Sequence, residues 1–226
     1  MTELLLIRHA INDWVKTGRL AGWTPGVHLN PDGQKQAQAL GKHLADAQLA
    51  GIYASPLERT METAEAVAAH YPALTVQALE GVGEVRYGDW QGAKLDKLRK
   101  DKLWGTVQNH PSRVQFPNGE TIRQAQARAV DALEALVKKH PNQRIAVVSH
   151  SDVIKLIVAH YIGAHIDLFQ RIEISPASTS IIWLGMDRPF IRRVNDTSYL
   201  PALPPPPTQK PAALRRVRQV FKRRPH

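Results

Sequence analysis

The chain is 226 residues long and 43% hydrophobic, which suffices for one sizeable buried core. It contains no cysteine, and this excludes disulfides, thiolate nucleophiles and cysteine-ligated metals. Its formal net charge is +10, but residues 201–226 hold seven Lys and Arg and no Asp or Glu. Subtracting these seven leaves a net charge of +3 on residues 1–200, which is too little to indicate a nucleic-acid-binding domain.

The first predicted strand lies at the N-terminus. The apolar run Leu4–Ile7 has the length and composition of a buried strand, and it is too short, with no basic leader, for a secretory signal. Asn30 and Pro31 then predict the start of a helix, with a capping side chain followed by proline at the first helical position. Small and apolar residues recur after them at helical spacing.

A second short strand is predicted at Ile52–Ala54. Ser55 and Glu58 follow it at the spacing of a capping box, with proline in the first turn, so a helix is expected to begin here. Arg59 is then expected in the first turn of that helix, close to the carboxyl end of the strand.

Later residues continue the alternation of strands and helices. Strands are predicted at Leu74–Ala78, Arg144–Ser149, Ser180–Leu184 and Phe190–Val194, and helices at 120–139 and Asp152–Ile162. This order predicts an α/β fold, a three-layer α/β/α sandwich with a mostly parallel central sheet, formed by a single domain over residues 1–200. In such sheets ligands bind beyond the carboxyl ends of the strands.

Residues 201–226 are expected to be a tail rather than part of the core. Residues 201–211 form a proline-rich spacer, and the basic residues beyond them predict a disordered, solvated segment. The alternative is a basic amphipathic helix with weak affinity for an anionic surface such as a membrane or RNA. Because so short a helix is marginal in isolation, we favour the solvated tail and expect no nucleic-acid partner.

Arg8 and His9 directly follow the first strand. A neighbouring cation depresses the pKa of an imidazole, so His9 is expected to keep a lone pair near neutral pH and can accept a phosphoryl group. Guanidinium groups match phosphoryl oxygens, and Arg59 adds its charge to that of a helix N-terminus. His150, at the end of another predicted strand, either donates to the same oxygens or is a second candidate nucleophile.

Seven segments occur in an order that resembles the histidine phosphatase superfamily, the phosphoglycerate mutase-like enzymes, over residues 3 to 200. They are Leu5–Ala10, Gly18–Trp23, Ser55–Thr60, Gly83–Gly92, Pro117–Thr121, Val147–His150 and Asn195–Asp196. The resemblance implies that His9 becomes phosphorylated and that Arg8, Arg59 and His150 surround the phosphoryl group. It also implies that Glu84 protonates the leaving oxygen, with Glu80 or Asp89 as the alternative proton donor.

The resemblance also implies a small-molecule phosphomonoester substrate, no cofactor and no metal. Asn12 stands at a position that contacts phosphate, and Ser151 stands where glycine is common; we assign both to substrate binding. Arg19 and Arg86 could line the mouth of the pocket, but we favour their interpretation as solvated loop residues. A cytoplasmic location fits the absence of cysteine, and the oligomeric state is left open.

Departures from the family pattern keep two alternatives open. Ala10, Ile11 and Val15 replace residues that are usually Gly, acidic and Asn, which suggests a weakly catalytic binding or regulatory member. The other alternative is a phosphoglycerate-type phosphomutase. Ala21 in place of threonine, and a separation of only about 65 residues between the general acid and the second histidine, favour a phosphatase.

Overall fold

A six-stranded sheet forms the centre of the protein in a computed structural model that describes residues 1–185 and 188–201. Its strands are β1 (Thr2–Arg8), β2 (Leu49–Ala54), β3 (Val76–Ala78), β4 (Arg144–Ser149), β5 (Thr179–Leu184) and β6 (Phe190–Asp196). The strand order is β3-β2-β4-β1-β5-β6. Only β5 runs against the others among these six strands, because it is antiparallel to both β1 and β6. The predicted mostly parallel sheet is confirmed.

Helices cover both faces of the sheet. They are α1 (Asp13–Lys16), α2 (Pro31–Leu44), α3 (Glu58–Ala68), α4 (Leu95–Leu98), α5 (Trp104–Asn109), α6 (Ile122–Lys139) and α7 (Ser151–Ile162). Alternate residues of β1 point to opposite faces: Leu4 and Leu6 join the core beneath α6 and α7, whereas Leu5 and Ile7 join the core beneath α2 and α3. The predicted three-layer α/β/α sandwich is therefore confirmed.

The cap predicted at the start of α2 is present, whereas the cap predicted at the start of α3 is not. Asn30 caps α2 as predicted, because its Oδ1 accepts from the backbone N–H of Gly33 at 2.9 Å. The predicted capping box before α3 is wrong: Leu57 is the N-cap and provides no side-chain hydrogen bond. The Ser55 hydroxyl is instead 2.8 Å from His150 Nε2, and Glu58 accepts from the backbone of Gly26. The Ser55 side chain therefore contacts His150 and does not cap α3.

The strand predicted at Leu74–Ala78 is shorter than expected, since regular pairing with β2 begins only at Val76.

None of the helices within residues 1–185 and 188–201 has the length and apolar composition that crossing a bilayer requires. The tail predicted over 201–226 lies outside the described residues from 202 onward, so its character and the domain boundary at 200 stay predictions.

Candidate active site

The carboxyl ends of two neighbouring strands bring the two predicted histidines together. β1 and β4 pair in parallel with Arg8 opposite Ser149, so the residues that follow, His9 and His150, emerge side by side. Their ring centroids are 5.3 Å apart and the rings are inclined at 59°. Both side chains are buried. The juxtaposition that the sequence predicted is present at the sheet edge where α/β proteins bind ligands.

The hydrogen bonds of His9 define which of its nitrogens can react. Nδ1 lies 2.8 Å from the carbonyl oxygen of Ala10. A carbonyl oxygen only accepts, so Nδ1 carries the proton in this bond and the lone pair of the neutral ring is on Nε2. Burial, reinforced by the charges of Arg59 and Arg8, holds the pKa of His9 well below its usual value. The ring is therefore a neutral base with its Nε2 available.

His150 is more enclosed than its partner. Its Nδ1 accepts from Arg59 Nη2 at 3.2 Å, and its Nε2 faces the hydroxyl of Ser55. Burial and then the charge of Arg59 lower the pKa of His150 well below its usual value. Because both nitrogens already have partners, His150 is the weaker candidate nucleophile, and contact with a phosphoryl oxygen requires it to exchange one of these bonds.

Arg59 is a buried cation, and only some of its N–H groups have hydrogen-bond acceptors. It lies in the first turn of α3, and its side chain is 1% exposed. Nη2 donates to the carbonyl of Gly22 at 2.9 Å as well as to His150. Nε and Nη1 are buried without an acceptor in the described part of the chain. Burial lowers the pKa of this guanidinium from its usual value, so the folded protein bears a desolvation cost here.

Two other buried donors lie beside Arg59. Arg8 donates from Nη1 to the carbonyl of Ile174 at 2.7 Å, while its Nε has no acceptor among the described residues. Asn12 accepts from Val15 N through Oδ1 and so caps α1, which leaves Nδ2 buried without a partner in the same set. We call Arg8, Asn12 and Arg59 the donor cluster. Every unpartnered atom in it is an N–H group, the arrangement that anionic oxygens satisfy.

Ser151 and one of the two loop arginines, Arg19, occupy the border of the site. Ser151 lines the cavity, with its hydroxyl 3.4 Å from the carbonyl of Ile174. Arg19 is exposed and also lines the mouth of the cavity, with its guanidinium over the ring of Trp14. Arg86 lies over Trp23 and donates to Glu80, away from the cavity lining. Arg19 therefore lies at the mouth of the cavity, the alternative that we did not favour, whereas Arg86 does not line it.

Glu84 is held at the edge of the cavity by its backbone. Its carbonyl oxygen accepts from Trp23 Nε1 at 2.6 Å and from Arg128 Nη2 at 2.9 Å. One carboxyl oxygen accepts from the backbone N–H of Val85, and the other is 3.7 Å from His150 Nδ1. Burial, and next the negative charge of Asp152, raise the pKa of Glu84 to about 7. A carboxyl with this pKa can both give and take a proton near neutrality.

Sequence reasoning missed the residues that support Glu84. Asp152 accepts from the Tyr87 hydroxyl at 3.0 Å and lies 3.4 Å from Lys155 Nζ. Tyr87 belongs to the same motif as Glu84, and the Asp152–Lys155 spacing of three residues in a helix was a readable signal. The anchoring by Arg128 left no such signal, because Arg128 and Glu84 are 44 residues apart in the chain.

Replacing Arg59 by methionine tests the donor cluster. We expect kcat/KM for phosphomonoesters to fall about 10²–10³-fold, the cost of removing one preorganised donor. We also expect an equal or higher free energy of unfolding without ligand, because an incompletely paired buried charge is replaced by an apolar group of similar length. Steady-state phosphate release measures kcat/KM, and urea unfolding measures the stability. In thermal melts, inorganic phosphate should raise the melting temperature of the wild type but not that of Arg59→Met.

Arg99→Met is the matched control, because Arg99 is exposed and only pairs with Asp96 on the surface. It should keep wild-type kinetics and phosphate stabilisation. A clear loss of stability in Arg59→Met, together with undiminished stabilisation by phosphate, would show that Arg59 is structural and does not bind the anion.

Across 1–185 and 188–201, no group of three or more His, Asp or Glu side chains is arranged to hold a metal ion. The positive charge near His9 comes from Arg8 and Arg59. A neutral imidazole beside buried guanidinium groups, at the carboxyl edge of a mostly parallel sheet, characterises an α/β enzyme that acts on phosphoryl groups.

Comparison with known proteins identifies the family. Residues 4–197 match the model of the histidine phosphatase superfamily (branch 1), and the chain belongs to that superfamily. It is 31% identical over 209 residues to Phosphoserine phosphatase 1 of Hydrogenobacter thermophilus, which covers 88% of this chain and 95% of that protein. With this membership and its named phosphatase relatives, the chain is a phosphoric monoester hydrolase.

Solved structures share the fold over most of the chain. Bacillus stearothermophilus YhfR superposes with a TM-score of 0.83 at 27% identity, covering 88% of this chain and 99% of that one. A phosphoserine phosphatase mutant from Entamoeba histolytica, solved in complex with phosphoserine, gives a TM-score of 0.81 at 25% identity and covers 88% and 100%. Both are similar to this chain across the whole α/β/α domain.

Proposed function

We propose that this chain hydrolyses phosphomonoesters of small metabolites without a metal ion, through a phosphohistidine formed on Nε2 of His9. The observation that carries the proposal is the state of His9: a buried neutral ring with its proton fixed on Nδ1, beside a cluster of unpartnered buried donors. A lone pair and an oxyanion site next to each other are what phosphoryl transfer requires.

In the first step the Nε2 lone pair attacks phosphorus and the bond from phosphorus to the ester oxygen breaks. Charge on the phosphoryl oxygens meets the free N–H groups of Arg8, Asn12 and Arg59. The departing oxygen takes the proton of Glu84 and leaves as an alcohol. Because the donors are fixed before substrate arrives, they stabilise the dispersed charge of the transition state with little reorganisation.

In the second step a water attacks phosphorus and the bond to Nε2 of His9 breaks. Glu84, now a carboxylate, takes a proton from the water, which regenerates the acid and releases inorganic phosphate. A pKa of about 7 suits one carboxyl to both steps near neutral pH. The two guanidinium groups supply the positive charge that a metal ion provides in other phosphatases.

The intact donor cluster also bears on the rival functions. Ala10, Ile11 and Val15 do not interrupt the hydrogen bonds of Arg8 or Arg59, so the structure gives no specific support to a purely regulatory member. A phosphomutase would have to shield the phosphohistidine from water and return the phosphoryl group to the substrate. The phosphatase relatives favour hydrolysis over that alternative.

A cytoplasmic location stays a prediction from the cysteine-free composition.

Trapping the intermediate tests the proposal. The Glu84→Gln protein, in EDTA, is mixed with 4-nitrophenyl phosphate and quenched in alkaline denaturant. Nitrophenolate leaves without a proton, so the first step proceeds, whereas hydrolysis of the intermediate lacks its base. We expect the protein to gain the mass of one phosphoryl group, and peptide mapping to place it on His9.

The control for trapping is a second variant that also carries His9→Ala, in which no label should form. His43→Ala in the Glu84→Gln background should label fully, because His43 is an exposed histidine that stacks on Tyr199. Label on His150, or turnover by the wild type that EDTA abolishes, would contradict the proposal.

A further inference from the structure

Beyond the donor cluster, the cavity is walled largely by apolar side chains. It has a volume of about 300 Å³. Its outer part, which we call the outer wall, includes Trp14, Leu20, Trp90, Leu98, Trp104 and Phe116. With the donor cluster taken up by the phosphoryl group, an ester whose phosphorus faces His9 has this part of the lining left to contact its alcohol. The outer wall therefore decides which alcohols are accepted.

The outer wall is preorganised by backbone bonds between two distant loops. The N–H of Leu20 donates to the carbonyl of Ala93 at 2.9 Å, and Gly92 donates back to Leu20 at 2.7 Å. Leu95 N–H donates to Gly18 at 2.8 Å. These bonds hold the segment after α1 against the start of α4. Because this apolar surface is already ordered, ligand binding does not carry the entropy cost of ordering these loops.

Three aromatic rings of the outer wall pack against one another. Trp90 is buried, with its ring stacked near Trp104 at 6.2 Å and edge-on to Phe116 at 5.4 Å. Trp104 is only partly buried and lines the cavity. A flat apolar group in the cavity has an indole surface available to it.

Apart from the exposed Arg19, the charged groups that line the cavity are engaged elsewhere, with Glu84 serving as the general acid proposed above. Arg8 and Arg59 belong to the donor cluster, and Asp152 is paired with Tyr87 and Lys155. Arg19 is at the exposed mouth over Trp14. An alcohol that carries both an ammonium and a carboxylate would lose hydration against the outer wall without gaining a buried partner for each charge.

We propose that this site selects phosphomonoesters whose alcohol part is a bulky apolar or aromatic group and disfavours amino-acid alcohols such as that of phosphoserine. The proposal rests on the phosphatase function proposed above and specifies its substrate class. It separates this chain from the relatives that are named for phosphoserine.

The test compares primary alkyl phosphates, so that all leaving groups are alkoxides of similar reactivity. Substrates are 2-phenylethyl phosphate, ethyl phosphate and phosphoserine, measured as phosphate release in EDTA. We expect kcat/KM for the phenylethyl ester to exceed that for the ethyl ester at least tenfold, a modest gain for burying a phenyl ring. Phosphoserine should be no better than ethyl phosphate.

Trp104→Ala assigns the preference to the outer wall. We expect it to lower kcat/KM for the phenylethyl ester about tenfold more than that for ethyl phosphate, so that the ratio between the two esters falls about tenfold. Trp183→Ala is the matched control, because Trp183 lies on β5 and pairs with Glu3, away from the cavity. It should retain the wild-type ratio between the two esters.

The outcomes separate this inference from the function on which it rests. Hydrolysis of ethyl phosphate that depends on His9 supports the phosphatase function whatever the selectivity. With that activity present, a preference for phosphoserine over the phenylethyl ester, or an unchanged ratio in Trp104→Ala, would overturn the proposed substrate class. If none of the esters is hydrolysed, the phosphatase function itself fails and the inference fails with it.

Discussion

Replacing His9 by alanine is expected to lower kcat/KM for every phosphomonoester by about 10⁴-fold or more, the scale of losing a covalent nucleophile. The neighbouring imidazole of His150 cannot readily replace it, since its two nitrogens are engaged by Arg59 and Ser55. Steady-state release of 4-nitrophenolate in EDTA measures the loss. Because nitrophenolate leaves without a proton, the assay isolates attack on phosphorus from proton transfer.

Loss of activity in His9→Ala has to be separated from loss of the fold. Arg8, Asn12 and Arg59 remain in this variant, so inorganic phosphate should still raise its melting temperature, in contrast to Arg59→Met. His43→Ala provides the histidine control and should retain wild-type rates. A His9→Ala protein that binds phosphate and still turns over at the wild-type rate would exclude the phosphohistidine route.

One physical cause sets the protonation of both reacting groups. Burial disfavours charge, so it lowers the pKa of His9 and raises that of Glu84. Arg59 and Arg8 assist the first shift and oppose the second, yet Asp152 restores the second. The result is a neutral nucleophile and a carboxyl that is about half protonated at neutral pH. Two groups with opposite proton tasks are typical of an acid–base site.

Local sequence patterns predicted the sheet and much of the site. Continuous apolar runs marked β1 and β4, and the residues that follow them, His9 and His150, meet because parallel neighbours end at one edge. Asn30 was readable as a cap because its role depends only on residues three positions away. These features share a short range in sequence.

The remainder depends on contacts that no local pattern encodes. Ser55 had the spacing of a helix cap, but folding places it against His150, and that contact prevailed. Asp152 affects Glu84 across nearly 70 residues of chain. The segment between residues 80 and 116 folds into short helices and turns, whose arrangement is set by packing around Trp90 and Phe116 rather than by periodicity. The outer wall of the cavity was therefore outside the reach of sequence reasoning.

Replacing Glu84 by glutamine is expected to lower kcat/KM for alkyl phosphates about 10²–10⁴-fold, the usual contribution of a general acid. The same change should have little effect on kcat/KM for 4-nitrophenyl phosphate, because its leaving group needs no proton. In the wild type, kcat/KM for an alkyl ester should fall as pH rises above about 7, where the protonated form of Glu84 is lost. That decline should be absent from Glu84→Gln. Equal losses for both substrates would assign Glu84 a structural role.

The substitution Asp152→Asn is expected to change the pKa of Glu84 while leaving the Glu84 carboxyl in place. The negative charge of Asp152 favours the protonated form of Glu84, so neutralising it should lower the pKa of Glu84 and move the decline in kcat/KM to lower pH. Asp89→Asn is the control, since Asp89 is exposed and bonds only Asn118 among the described side chains. The substrate ionises identically with all three proteins, so a displacement seen with Asp152→Asn alone belongs to the enzyme. An unmoved decline would mean that another group supplies the proton, and a shift to higher pH would reverse the electrostatic argument.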